Sequence, residues 1–178
     1  PHVPALLVIA AEGNRAAFDS LAKIRGPQAM RGLKKLAASS QPIATRQAAA
    51  HALGAINLKG SLAEVFAVLK DTKNFNTALE LWRGLLGGRG AGKLLAGGVA
   101  GAGLPKPIVT AGIRAAREGG RDEKAFVAAL ALSQNISLLT KQMTAAELKT
   151  LAARAMKEGD PFAGERVYRR PALACTVC

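Results

Sequence analysis

An all-α fold, a right-handed α-solenoid of helical hairpins, is what this sequence predicts, and three observations predict it. Alanine, leucine and glycine dominate the 178 residues while aromatics make up only 4%, a composition that favours helices packed closely through small side chains. No segment shows the two-residue alternation of apolar and polar positions that marks a half-buried strand. Helical patterns instead recur in pairs as far as about Ser133. The second member of each pair starts near Gln28, Ser61, Gly90 and Asp122, an interval of roughly thirty to thirty-three residues. Paired helices repeated in this way cannot bury their apolar faces singly, so they stack.

The first helices of the pairs are expected over 14–24, 45–56, 77–86 and 108–116, and their partners over 28–38, 61–71, 90–101 and 122–132. In the first pair, Met30, Leu33 and Leu36 mark the core side of a helix otherwise basic with Arg31, Lys34 and Lys35. In the second, Ser61 and Glu64 have the spacing of a capping box, and Leu62, Val65, Phe66 and Leu69 follow at i, i+3, i+4 and i+7. Leu79, Trp82, Leu85 and Leu86 make the comparable stripe of the third. His51 sits among alanines and reads as a structural or exposed histidine rather than a catalytic one. Pro105 and Pro107 restart the chain for the fourth pair, and Gly119 and Gly120 mark its turn. Beyond the repeats, Thr144 and Glu147 form another potential capping box, with Leu148, Leu151, Ala152 and Ala155 expected on a buried face.

The glycine-rich segment 84–103 is the least regular. Residues 87–93, GGRGAGK, approach the phosphate-binding loop G-x-x-x-x-G-K-[ST], but Leu94 stands where the magnesium-binding hydroxyl belongs. That loop should also follow a buried strand, whereas the preceding residues form an amphipathic helix. The glycines instead predict a helix end at Gly87 and Gly88 and a close helix–helix contact around Gly97 and Gly98.

Residues 159–178, GDPFAGERVYRRPALACTVC, hold both cysteines of the chain. Asp160 followed by Pro161 reads as a helix start, and Gly164 and Tyr168 then share one face of a short helix. The Cys175-x-x-Cys178 pair suits three chemistries. Structural zinc needs four ligands, and only the distant His2 and His51 could join the pair. A thioredoxin-like redox pair follows a strand, and the residues here are charged and helical in character. Covalent haem attachment through Cys-x-x-Cys-His remains, beside the plain alternative of two incidental cysteines.

Two resemblances sharpen these expectations. Residues 46–56, RQAAAHALGAI, resemble the first-helix pattern of HEAT-like repeats, so the hairpins are expected to be HEAT-like. The tail, with Gly-x-x-x-Tyr ahead of Cys-x-x-Cys, resembles the first helix and haem-attachment motif of small c-type cytochromes. Together with LPKPIVTAGIRAAREGGRDEKAFVAAL and LTKQMTAAELKTLAARAMKEGD, it is similar to a region of large exported bacterial proteins. Those proteins join a sugar-dehydrogenase-like β-propeller, HEAT-like repeats and a C-terminal cytochrome c domain. The resemblance runs from about Trp82 onward and implies an organisation of repeats over 1–140, a linking helix over 141–158 and a truncated haem-domain start over 159–178. It implies that Cys175 and Cys178 bind haem c covalently if the next residue is His, with Gly164 and Tyr168 packing against another helix of that domain. The axial histidine would lie beyond Cys178. No haem is expected on the chain as it stands.

The implied function is a non-catalytic helical scaffold that positions a cytochrome c domain for electron transfer. Its expected partners are an upstream dehydrogenase-like domain and the downstream haem domain of one periplasmic or cell-envelope oxidoreductase. The net charge of +13 also admits an acidic protein partner, or a HEAT-like nucleic-acid enzyme of the DNA glycosylase kind. Its basic residues are spread rather than interleaved with aromatics, so nucleic acid is the weaker reading. A solenoid that only binds protein is the third. No run is apolar and long enough to demand a membrane span. Glu12, Asp19 and Glu80 fall on separate helices as surface charges, and no catalytic constellation is legible.

Overall fold

The computed structural model describes residues 2–118, 123–138 and 143–169, and the chain divides into two compact units, Pro1–Leu138 and Leu139–Cys178. Among the described residues there are eleven α-helices and no strand. In the first unit these are α1 (Val3–Ala11), α2 (Arg15–Ile24), α3 (Pro27–Leu36), α4 (Ile43–Asn57), α5 (Leu62–Asp71), α6 (Phe75–Leu85), α7 (Ala91–Val99), α8 (Lys106–Arg117) and α9 (Lys124–Ser133). From α2 onward every predicted helix is present within one turn of its expected ends. The expected start at Asp122 and the turn at Gly119 and Gly120 lie outside the described residues.

Local chemistry sets the helix starts. Asn14 and Asn74 cap α2 and α6, their side-chain oxygens accepting from Ala17 N (3.2 Å) and Thr77 N (3.1 Å). Proline occupies the first turn of α1, α3 and α8, where its missing N–H is no loss and its fixed φ suits a helix. Gly90, at φ +72°, takes the left-handed conformation before α7, which costs glycine nothing.

Packing then follows chain order. α2 packs on α4, α4 on α6 and α6 on α8, while α5 packs on α7 and α7 on α9. The pairs α3–α4, α4–α5 and α8–α9 join the two sets. The expected apolar stripes face inward: Leu33, Val65, Leu69 and Trp82 are fully buried, each such side chain contributing about 1.5–3 kcal/mol by the usual transfer values. Trp82 ties four helices together. Its indole N–H donates to Ile108 O of α8 at 2.9 Å, and its ring meets Phe126 of α9 at 5.3 Å and Phe66 of α5 at 6.4 Å, both edge-on. The indole lies against Gly112 of α8, and Gly98 of α7 lies against the Phe66 ring. The close contact expected in the glycine-rich segment is therefore made by Gly98, while Gly97 faces open space.

Three expectations are corrected. α1 has no counterpart in the sequence reading, because nine apolar residues in a row carry no period. The Ser61–Glu64 capping box does not form. Ser61 ends a 3₁₀ turn and makes no cap bond, and Glu64 Oε1 instead accepts the ammonium of Lys34 at 2.7 Å. A charge-assisted bond outcompetes one to a neutral backbone N–H. Asn57 holds the turn through its side-chain oxygen, which accepts from Gly60 N at 3.1 Å.

The third correction concerns the second unit, which holds α10 (Ala145–Glu158) and α11 (Pro161–Tyr168). The Thr144–Glu147 capping box is complete, with Glu147 N donating to Thr144 Oγ1 (3.2 Å) and Thr144 N to Glu147 Oε2 (2.8 Å). Yet Leu148, Leu151, Ala152 and Ala155 are all exposed rather than buried. Amphipathic spacing names the face to be covered and says nothing of the surface that covers it.

Candidate functional site

A recess lies across α2, α4 and α6. Helical spacing brings its walls together: Arg15 and Asp19 on α2, Gln47 and His51 on α4, and Thr77, Glu80 and Gly84 on α6 each recur every three or four residues, which puts them on one face. They line a cleft of about 560 Å³ that also takes in Phe18 and Leu81. Asp19 and Glu80, surface charges on separate helices in the sequence, thus share one cleft with His51.

The electrostatics of this cleft are mostly internal. Arg83 forks onto Glu118, Nε to Oε2 at 2.7 Å and Nη2 to Oε1 at 2.9 Å, and also meets Glu80. Arg114 Nε reaches Glu118 Oε1 at 3.1 Å. The Arg83 hydrogen bonds, helped by Arg114, hold the Glu118 carboxyl below its ordinary range against an opposing push from burial, and the same pairing raises Arg83. Gln47 Nε2 donates to Thr72 Oγ1 at 2.9 Å. His51 is half-buried with its imidazole against Gly84, where a Cβ would collide with the ring. Among the described residues it makes no hydrogen bond to Asp19 or Glu80, and no group of His, Cys, Asp or Glu is arranged to hold a metal ion. The cleft is a recess of mixed polar and apolar lining in which Arg83 is already paired with carboxylates, not an assembled acid–base pair.

The phosphate-loop-like segment 87–93 follows helix α6, not a strand. The Glu123 carboxylate lies over Gly92 in the first turn of α7, where an added Cβ would meet it. A carboxylate therefore stands beside the first turn of α7, where it would repel a phosphate. This geometry does not suit a nucleotide.

Cys175 and Cys178 lie outside the described residues. Ahead of them α11 is firmly started: Asp160 Oδ1 accepts from Phe162 N (2.9 Å) and Ala163 N (3.0 Å), and Pro161 fills the first turn. Open space surrounds the Cβ position of Gly164, and Tyr168 is 55% exposed. His2 is exposed just before α1. Among the described residues no helix is long and apolar enough to cross a membrane. Compared with protein-family models, curated proteins and solved structures, the chain matches none of them.

Proposed function

We propose that this chain is a scaffold segment of a multidomain c-type haem protein, a right-handed α-solenoid of HEAT-like hairpins over 1–140 leading through a linking helix into a haem domain that begins near residue 159. The observation that carries the reading is α11. It is a capped helix whose Gly164 and Tyr168 face is left uncovered, seven residues ahead of the first cysteine of the pair Cys175 and Cys178. A glycine with open space beside an exposed aromatic is a seat for a second helix. The successive packing of α2, α4, α6 and α8 beside α5, α7 and α9 supports the solenoid, since stacked hairpins touch their neighbours in this way.

In this reading the chain itself performs no chemistry. Cys175 and Cys178 would hold haem c through two thioether bonds if the next residue is His, which would supply the iron ligand. The scaffold holds the haem domain at a fixed place relative to an upstream dehydrogenase-like domain. The parent is an exported oxidoreductase, because c-type haem is attached outside the cytoplasm. Nucleic acid is less well supported: Lys34, Arg46, Arg83 and Arg114 are each committed to a carboxylate.

The test is covalent haem on the longer polypeptide, expressed with the c-type maturation machinery, denatured, and measured by absorbance and intact mass. One haem is expected, lost when Cys175 and Cys178 are changed to Ala. No covalent haem, or a residue other than His after Cys178, refutes the reading.

A further inference from the structure

One edge of the first unit gathers cations that have no partner. Leu58 and Arg89 line one recess, which sets the link from α4 to α5 beside the link from α6 to α7. Arg83, near the end of α6, binds Glu118 just past α8, and Glu123 at the start of α9 lies beside Gly92 of α7. Lys34 of α3 reaches Gly60 O, between α4 and α5, at 3.2 Å. The opposite edge is marked by Arg46, which joins Ala37 O to Asp71. α3 therefore ends at that far edge, and the link from α2 to α3 lies at the near one.

Lys23, Arg25, Lys59, Arg89, Lys93 and Arg117 stand along the near edge. All are exposed, and none of the six side chains makes an ion pair or hydrogen bond among the described residues. The acids beside them are largely taken, Glu64 by Lys34 and Glu118 by Arg83 and Arg114, and Glu123 offsets one charge. At the far edge Lys70, Lys73 and Lys106 are set against Glu12 and Asp71, and the links 37–42 and 134–138 carry no charge. Helix stability accounts for only part of the row. Lys23, Arg25 and Arg117 close α2 and α8, where a cation complements the negative helix end. Arg89 and Lys93 flank the first turn of α7, which contains no acidic residue, and a cation there opposes the helix dipole.

We infer that this edge is a docking surface for anionic lipid headgroups. Packed helices lie about 8–10 Å apart, so a row drawn from α2, α4, α6 and α8 spreads its charges over roughly 25–30 Å. One acidic site cannot engage such a row; a charged plane can. Ile24, 46% exposed, is the one large apolar side chain exposed along this edge among the described residues. That is too little for the desolvated aromatic centre of a protein interface. The cleft across α2, α4 and α6, where a nucleic-acid strand would have to lie, carries Asp19 and Glu80. The inference does not rest on the haem reading.

Vesicle co-sedimentation of the 178-residue chain tests it, with bilayers about one-third phosphatidylglycerol set against wholly neutral phosphatidylcholine. Binding is expected to the anionic vesicles alone, weakening as salt rises. The triple variant Lys59→Ala, Arg89→Ala, Arg117→Ala should bind roughly 100-fold more weakly, each cation near the surface being worth about 5-fold. Lys70→Ala, Lys73→Ala, Lys106→Ala removes the same charge from the far edge and should change binding less than about 5-fold. All six side chains are exposed, so both variants should keep the wild-type circular dichroism. Equal weakening by the two variants overturns the inference, because net charge alone then explains the binding. Absence of binding to the anionic vesicles overturns it as well. So does retention of duplex DNA or an acidic polypeptide by Lys59, Arg89 and Arg117 with the vesicles left free, which names another partner. Haem has no part in this assay, so this inference and the haem reading fail independently.

Discussion

Substituting alanine for glycine at two helical positions should give opposite signs, and the structure says which is which. Gly112 lies mid-helix in α8, and a Cβ there would meet Leu130 Cδ1 at 2.8 Å and the Trp82 indole atoms Cε2 and Nε1 at 3.0 Å. Leu130 and Trp82 are both fully buried, so neither can swing aside into solvent. Alanine gains about 1 kcal/mol of helix propensity, and forcing a methyl into a filled core costs roughly 1–3 kcal/mol. Displacing the indole also weakens its bond to Ile108 O, worth about 1 kcal/mol. Gly112→Ala should therefore destabilise by about 1–3 kcal/mol net of propensity. Gly97, in α7, has nothing within 4 Å of its Cβ position, and Gly97→Ala should stabilise by roughly 0.5–1 kcal/mol. Urea denaturation followed by circular dichroism reads both. Trp82 is the sole tryptophan, so its emission reports the same site, and only Gly112→Ala should shift it. A neutral or stabilised Gly112→Ala with unchanged emission would refute the argument that close approach holds α8 to α6.

Two further outcomes follow from charges set between helices. Arg46 is buried, its Nε donating to Ala37 O at 3.2 Å and its Nη2 to Asp71 Oδ2 at 2.7 Å, so Arg46→Ala should cost about 2–3 kcal/mol in urea denaturation. Asp71→Asn should cost only about 1 kcal/mol, because Asp71 is half exposed and the bond to Ala37 survives. Glu118 has a folded pKa below the ordinary 4.5, so its contribution is fully present above that value and is lost as pH falls through the lowered one. Thermal melts from pH 6 downward should show wild type losing its margin over Glu118→Gln below about pH 4.5. A margin that instead widens with acid would invert the assignment. The margin at neutral pH should be roughly 0.5–1 kcal/mol, since Arg83 and Glu118 are both more than a third exposed.

Periodicity made the helices legible from α2 to α9, because stripes such as Leu79, Trp82, Leu85 and Leu86 mark both the helix and its buried side. It failed at α1, where apolar residues on every side leave no moment to find. It failed differently at Ser61 and Glu64, whose local spacing is right but whose partner Lys34 belongs to another helix. α10 shows a third limit, since its stripe and capping box were visible while the exposure of Leu148 and Leu151 was not. The cleft was half legible: Arg15 with Asp19 and Gln47 with His51 are plain one-turn pairs. That Glu80 and Arg83 join them depends on how α6 stacks on α4. Stacking is a property of several helices at once, and no single segment encodes it.

Most helix contacts of the first unit are with the next helix or the one after it, Trp82 of α6 against Phe126 of α9 reaching one further. A chain organised in this way needs no distant segment before it can begin to fold. Each helix can dock on those before it as it leaves the ribosome, and low contact order should make the process fast. The same locality favours loss of structure that begins at an end and moves inward. Trp82, held between α5, α6, α8 and α9, would then brighten or dim late, after the ends had already opened.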